Sequence, residues 1–545
     1  MENLNECISN SRRLREFYLK DAYRPAYHFI VPEGVHSPVD PNGAIFWRGK
    51  YHLCYIYQDD GKHYWGHISS VDLVHWRHHL DALMPNLDEG GVEKGIFSGG
   101  AFVDEKNDRV VFSYWGLTDP DTSPDGICLA WADDDELDVW HRFDNPVIKS
   151  SDGDFGLFRG TDKDGNELIY ATADPSQIWV KDGRYYMLTG SLLVLQKVGE
   201  AENREEYQGD TLFLFVSDDL KNWEFLHQFY TSKREWTEHR EDCMCPDFFP
   251  LPTSKEGGNP SDKYMLLFIS HCIGCQYYLG EYDKKNDIFL PEQHARMSYP
   301  DVEYVTPHFG DANFDEMRWV GGTKNEYFAP ESLTDDKGRR IMWTWVVEHR
   351  SYELHLKDGG SSGDLSLPRL LWYDEGKDKL MMAPAPELEM LRYDVKKYAD
   401  VALNNGSSVV TKLNTKQYEL NVTISDISAS SVGVKILSDL SGNEETVIYY
   451  EKESGSLVLD TTNSQHLEGL SGRVEKFPFV AEDGRVSLQI FMDNSIVEVY
   501  ANETQSIVRH IFGTENGKNI ELFADCGSAK FTDIVTYKMQ GSNPF

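Results

Sequence analysis

Three places in the sequence set a carboxylate at a turn: Asp40 in VDPNG, Asp174 in ATADPSQIW, and the adjacent Glu241 and Asp242 in REDCMCPDFFPL. Asp40 and Asp174 each precede a proline, which fixes its own φ and restricts the residue before it, so each acid sits on a stiff corner ahead of an aromatic run. A single Asp-Pro is an ordinary turn starter. Two of them with a third acidic cluster are the minimum equipment for breaking a glycosidic bond, in which one carboxylate attacks the anomeric carbon and another group protonates the departing oxygen. Trp47, Tyr55, Tyr57, Trp65, Trp115 and Trp179 have the ring faces that stack on sugars, although most aromatics in such runs pack cores.

Carboxylates so far apart in sequence need a scaffold that brings their turns together. Short alternating apolar runs bounded by Gly, Asp and Asn dominate, and long amphipathic helical patterns are almost absent. A charged or glycine turn followed by a strand recurs as RGKYHLCYIY (48–57), NDRVVFSYWG (107–116), KDGRYYMLTG (181–190), SDKYMLLFIS (261–270) and KGRRIMWTWV (337–346), and each run is expected to be an inner strand. Outer strands are expected at DLVHW (72–76), ELDVW (136–140) and DLKNW (219–223), where Leu stands three residues before Trp. Five such units at this spacing predict a five-bladed β-propeller over 1–395. After MAPAPELEMLR (382–392) the aromatics thin out and Val, Ser, Thr and Asn alternate in short strands, which predicts a linker near 393–405 and a β-sandwich over 400–545. The fold class is all-β.

Composition narrows the partners. In 545 residues, 40% hydrophobic and 13% aromatic content supplies large cores, and 53 basic against 90 acidic residues give a net charge of −37. That charge repels phosphate backbones and anionic lipid, so no nucleic-acid or membrane partner is expected. The first residues, MENLNECISNSRRLREFYLKDAYRPAYHF, hold no apolar run of signal-peptide length, from which a cytoplasmic location is expected, or a secreted one if a signal has been removed. Cys243 and Cys245, one residue apart, fit zinc spacing poorly beside Cys272 and Cys275, and all four are expected to be packed thiols.

VDPNG with Trp47 and YWGHISSVDLVHW, followed by IFSGGAFVD (96–104), DPSQIWVKDGRYYMLTG (174–190), CPDFFPL (245–251), YFAPESLTDDKGRRIMWTW (327–345), LSLPR (365–369), APAPELEMLR (383–392), SIVEVYAN (495–502) and IELFADCGSAKF (520–531), resembles glycoside hydrolase family 32 over nearly the whole chain. The resemblance implies retaining cleavage of β-fructosides, as in invertases, inulinases and levanases, with no metal or organic cofactor. It gives Asp40 the nucleophile's role and Asp174 that of stabilising the transition state through sugar hydroxyls. Substrate contacts are expected from Asn42, Gln58, Trp65, Phe97, Ser98 and Asp242.

Three departures from the family pattern cluster on this pocket. Ala173 stands where Arg usually precedes Asp-Pro, Met244 where Glu precedes Cys-Pro, and Ile56 where a sugar-binding Gln is usual, with Gln58 two residues on and on the same face. Methionine cannot donate a proton. Glu241 is the first candidate for the displaced acid/base, since its longer side chain can reach across a bulged strand, and Asp242 is the second. Hydrolysis then requires one of these acids at the mouth of the propeller. A fructosyltransferase is the alternative on the same scaffold, and a non-catalytic fructan-binding protein is the alternative if neither acid reaches that mouth.

Overall fold

The computed structural model describes residues 20–543 except 34–37, 60, 87–92, 119–124, 234, 240, 272, 301–325 and 349–362. Five antiparallel sheets succeed one another as the blades of a propeller. The first runs Pro41–Trp47, Lys50–Asp59, Lys62–Ser70, Arg77–His78, and the fourth runs Met244–Pro252, Pro260–Ser270, Gly274–Asp283, Ile288–Arg296. The third carries an inserted helix, Leu192–Glu202, between its strands Arg184–Gly190 and Phe213–Ser217.

The five repeated runs are second strands, not the innermost ones: Lys50–Asp59, Arg109–Leu117, Arg184–Gly190, Pro260–Ser270 and Arg340–Val347. The strands before them line the axis and bond to their neighbours on adjacent blades, as when Gly43 N–H donates to Gly99 O (3.3 Å) and Ala44 N–H to Glu331 Oε1 (2.9 Å). The second strands read more strongly because they are buried between neighbours; Leu53, Val111, Met187, Leu267 and Ile341 are all fully buried. Each such side chain removed from water contributes roughly 1.5–3 kcal/mol.

The innermost strands are short and irregular. Register breaks fall between Asn42 and Ile45, Ala173 and Pro175, Met244 and Asp247, and Phe328 and Glu331, while the second blade's strand is split into Gly95–Ile96 and Ala101–Asp104. A bulge re-aims a side chain, and here each break sits near the strand's start, at the mouth of the propeller. The expected outer strands at the Leu-x-x-Trp motifs are turns instead. Leu73, Leu137 and Leu220 have φ of 66°, 54° and 65°, and an upstream Asp carboxylate accepts backbone N–H groups in each turn: Asp72 from Val74 and His75, Asp134 from Glu136 and Asp138, and Asp219 from Lys221 and Asn222. Asp's habit of bonding the backbone two or three residues on makes this a local device for turning into the outermost strand.

The fifth blade ends at Lys379–Pro384, and the residues expected as a linker are the strands Arg392–Lys397 and Val401–Lys412. Both pair with the 21-residue strand Asn519–Met539, which also pairs with Gln417–Ser425 and Ser431–Ser438. Their exposed, polar composition concealed them, because one face of this edge is solvated.

Propeller and sandwich are joined through buried charge. His28 donates Nδ1–H to Asp493 Oδ2 (2.9 Å) and faces Glu498 Oε1 at 3.3 Å, while Arg369 lies 3.3 Å from Glu498 Oε2. Asp493 also accepts the N–H groups of Ala26, Tyr27 and His28.

Candidate active site

The turn at Asp40 is held from behind. Its carbonyl accepts Ile56 N–H (2.9 Å) and Asn42 Nδ2–H (2.7 Å), and the Asn42 Oδ1 accepts Gly99 N–H (2.9 Å). Asn42 therefore ties the first blade's turn to the second blade and, at 1% exposure, is a buried brace for that turn, which corrects the expected substrate contact. Gly43 follows with φ +56°, and a Cβ there would sit 2.9 Å from the Phe112 ring, so the turn needs glycine.

At the mouth, Ser98 Oγ donates to Asp40 Oδ2 (2.8 Å). Asp174 Oδ2 accepts Cys245 N–H (3.2 Å) and the Cys245 thiol (3.4 Å). Its other oxygen, Oδ1, is buried and makes no hydrogen bond among the described residues. Burial and the neighbouring Asp40 charge push the Asp174 carboxyl up to about 7, and the same burial with Asp174 and Asp40 drives the Cys245 thiol well above its ordinary value. Two carboxylates thus share a site in which one is held neutral below neutrality while Ser98 supports the other. A buried carboxylate oxygen without a donor is costly, and a ligand hydroxyl is the partner that satisfies it.

The fourth blade opens differently. Met244 is buried, with Sδ accepting Leu192 N–H at 3.2 Å, and a Cβ on Gly190 would meet Cys243 O at 2.7 Å, so the third and fourth blades touch closely here. Glu241 is fully buried in an internal ion pair: Oε1 accepts from Arg296 (2.6 Å) and Glu238 N–H (3.0 Å), and Oε2 accepts from Gln276 (2.9 Å). Burial raises its pKa and the Arg296 charge opposes the rise. Glu241 is corrected from acid/base candidate to buried ion-pair partner, because both its oxygens are already bonded inside the fold.

Asp242 is fully buried too. Its Oδ1 accepts His271 N–H (2.7 Å) and its Oδ2 accepts His271 Nδ1–H (2.5 Å), so it reaches a substrate only through that imidazole. Trp65, expected on a sugar face, is 0% exposed, packed on Phe112 and Tyr114 with Nε1–H on Phe97 O, and is core. Ile56 lies in the same cluster. Gln58 is half-buried and bonds the His63 ring (2.6 Å), which lies tilted at 4.3 Å against the half-buried Phe97, so these three form one group between the first two blades. Asp247 bonds Arg340 (2.7 Å) behind the strand. Cys243 and Cys275 are buried thiols, and Cys272 lies outside the described residues.

His271 had no motif to announce it. The signal available was indirect: its strand is the hairpin partner of the Met-Cys-Pro strand, so residues just past that strand's end return to the mouth.

Residues 28–384 match the N-terminal domain of glycosyl hydrolases family 32 and residues 387–538 the C-terminal domain. The chain is 26% identical over 554 residues to a levanase of Bacillus subtilis (strain 168), covering 97% of this chain and 72% of the levanase. It is 25% identical to a sucrose-6-phosphate hydrolase of Zymomonas mobilis, covering 99% and 97% of the two chains. Among solved structures, fructan 1-exohydrolase IIa from Cichorium intybus superposes with a TM-score of 0.74 at 20% identity, over 95% of this chain and 98% of that one, and shares the fold. With both domain descriptions matched in order across almost all of its length, the chain belongs to glycosyl hydrolases family 32.

Proposed function

We propose that the protein hydrolyses β-fructofuranosidic bonds of sucrose, fructo-oligosaccharides or fructans with retention, through attack of Asp40 on C2. The observation that carries the proposal is the Asp40–Asp174 pair at the mouth, with Ser98 on one acid and, on the other, a buried oxygen that has no donor among the described residues. Asp40 forms the bond to C2 as the bond to the leaving oxygen breaks, and water then attacks C2 to release fructose and free the carboxylate. Asp174, neutral below about pH 7, donates or accepts a hydrogen bond to fructosyl hydroxyls as charge develops on the ring. The names of the relatives, a levanase and a sucrose-6-phosphate hydrolase, support a fructoside as substrate.

The experiment is turnover of sucrose, 1-kestose, inulin and levan by the native chain and by Asp40→Asn, with products resolved by anion-exchange chromatography. The native chain is expected to release fructose and Asp40→Asn to lose on the order of 10⁴-fold or more in kcat. Undiminished turnover in Asp40→Asn overturns the assignment. The buried Met244 favours one second reading, a fructan-binding protein, and calorimetric binding of these sugars by the native chain with no turnover establishes it instead.

A further inference from the structure

We infer that the imidazole of His271, held by Asp242, is the proton donor and acceptor of this reaction, taking the place of a carboxylic acid at Met244. The inference rests on the Asp40 reading above. The fourth blade's first two strands pair Met244 with Ile269 antiparallel, so Ser270 and His271 emerge opposite Cys243 and Asp242, just ahead of Met244 at the start of the innermost strand. Cys245 is the residue whose N–H and thiol hold Asp174. The His271 ring lies edge-on to Phe328 at 6.3 Å, and Phe328 is on the fifth blade's innermost strand. His271 therefore stands against an axial residue of the fifth blade, within electrostatic reach of Asp174.

Orientation is equally constrained. Asp242 takes both the backbone N–H and Nδ1–H of His271, and Ser270 Oγ–H holds the Asp242 carbonyl at 2.6 Å. Donation of Nδ1–H to a carboxylate fixes the tautomer and leaves Nε2 as the nitrogen available to a substrate. Nε2 makes no hydrogen bond among the described residues, and the side chain retains 10% exposure against 1% for Asp242. This is a carboxylate–imidazole pair open on one side, whereas Glu241 with Arg296 and Gln276 is closed on both.

The protons balance. In the first step the Nε2–H of the imidazolium passes to the glycosidic oxygen as that oxygen leaves C2 and Asp40 bonds to C2. In the second, neutral Nε2 takes a proton from the water that attacks C2 as the Asp40–C2 bond breaks. Nδ1–H remains on Asp242 throughout. Among the described residues, the charged groups acting at His271 are Asp242 on its own blade and Asp174 from the third, and Asp174 is in turn acted on by Asp40.

The test compares His271→Gln and Asp242→Asn with the native chain on sucrose and on a nitrophenyl β-fructofuranoside, whose leaving group needs no proton. His271→Gln is expected to lose roughly 10²- to 10⁴-fold in kcat/KM on sucrose, less than about 10-fold in kcat/KM on the aryl fructoside, and the alkaline limb of kcat/KM. Asp242→Asn, which keeps a hydrogen-bonding partner for the ring, is expected to move that limb to lower pH, because the charge holding the imidazolium is gone. Equal losses on both substrates, an unmoved alkaline limb in Asp242→Asn, or sucrose turnover within about threefold of native in His271→Gln each overturn the inference. If Asp40→Asn is inactive while His271→Gln is not impaired, the role of His271 fails and the fructosidase reading stands; if Asp40→Asn is active, that reading fails first.

Discussion

At the junction of propeller and sandwich, buried charges meet partners of opposite sign; at the mouth of the propeller, buried carboxylates meet each other. Glu498 is bonded by His28, Leu367 N–H, Tyr500 and Arg369, and its pKa falls below the ordinary value despite complete burial. Asp174 is as deeply buried, has a second carboxylate for a neighbour, and keeps one oxygen without a donor among the described residues. Charge paired with opposite charge is spent on internal structure, while crowded carboxylates raise a pKa and keep hydrogen-bonding capacity for a ligand. Glu241, with Arg296 and Gln276, belongs to the first kind although its sequence position pointed to the second.

The contrast can be broken by pH. Asp174 binds its proton up to about pH 7 in the folded chain and loses it near 3.8 when unfolded, so the native state holds more protons between these values. Stability is therefore expected to fall as pH rises from about 4 to 7, by at most about 1.4 kcal/mol per unit and about 4 kcal/mol in all, and Asp174→Asn should flatten that part of a urea-unfolding pH series. His28 has the opposite charge type: its folded pKa is raised from 6.5 to about 9, the bonds to Asp493 and Glu498 outweighing the burial that lowers it. Its contribution is complete below about 6.5 and is lost as pH rises through 9, on the order of 3 kcal/mol, and His28→Gln should remove that alkaline loss.

Two substitutions sharpen the comparison further. Glu241→Gln leaves Arg296 without its charge partner and is expected to destabilise the chain by about 3 kcal/mol in denaturant unfolding, while the ratio of sucrose to aryl-fructoside turnover stays native. A change in that ratio would return Glu241 to the mouth. The smallest effect is expected from Ser98→Ala, which removes one hydrogen bond to a charged acceptor and should lower kcat by about 10-fold, measured by initial rates.

The repeated apolar runs, the two Asp-Pro turns and the change of composition after residue 392 were legible because each depends on local alternation or on proline's fixed φ. The innermost strands were assigned one strand too late, since burial between blades makes second strands the most regular in sequence while bulges blur the first. Asn42, Trp65 and Glu241 were residues of the right type in the right motifs, yet their side chains are turned to the backbone, the core and an arginine.

Sequence by itself determined the family, the all-β architecture and the two stiff turns that carry Asp40 and Asp174, because those follow from residue order and short-range geometry. Only the tertiary structure decided which acids are spent on internal partners and which imidazole stands open beside Asp174, because Arg296, Gln276 and His271 lie 55, 35 and 29 residues from the acids they bond. Hydrogen-bond partners brought together by the closing of a blade leave no trace in the spacing of the motif they complete.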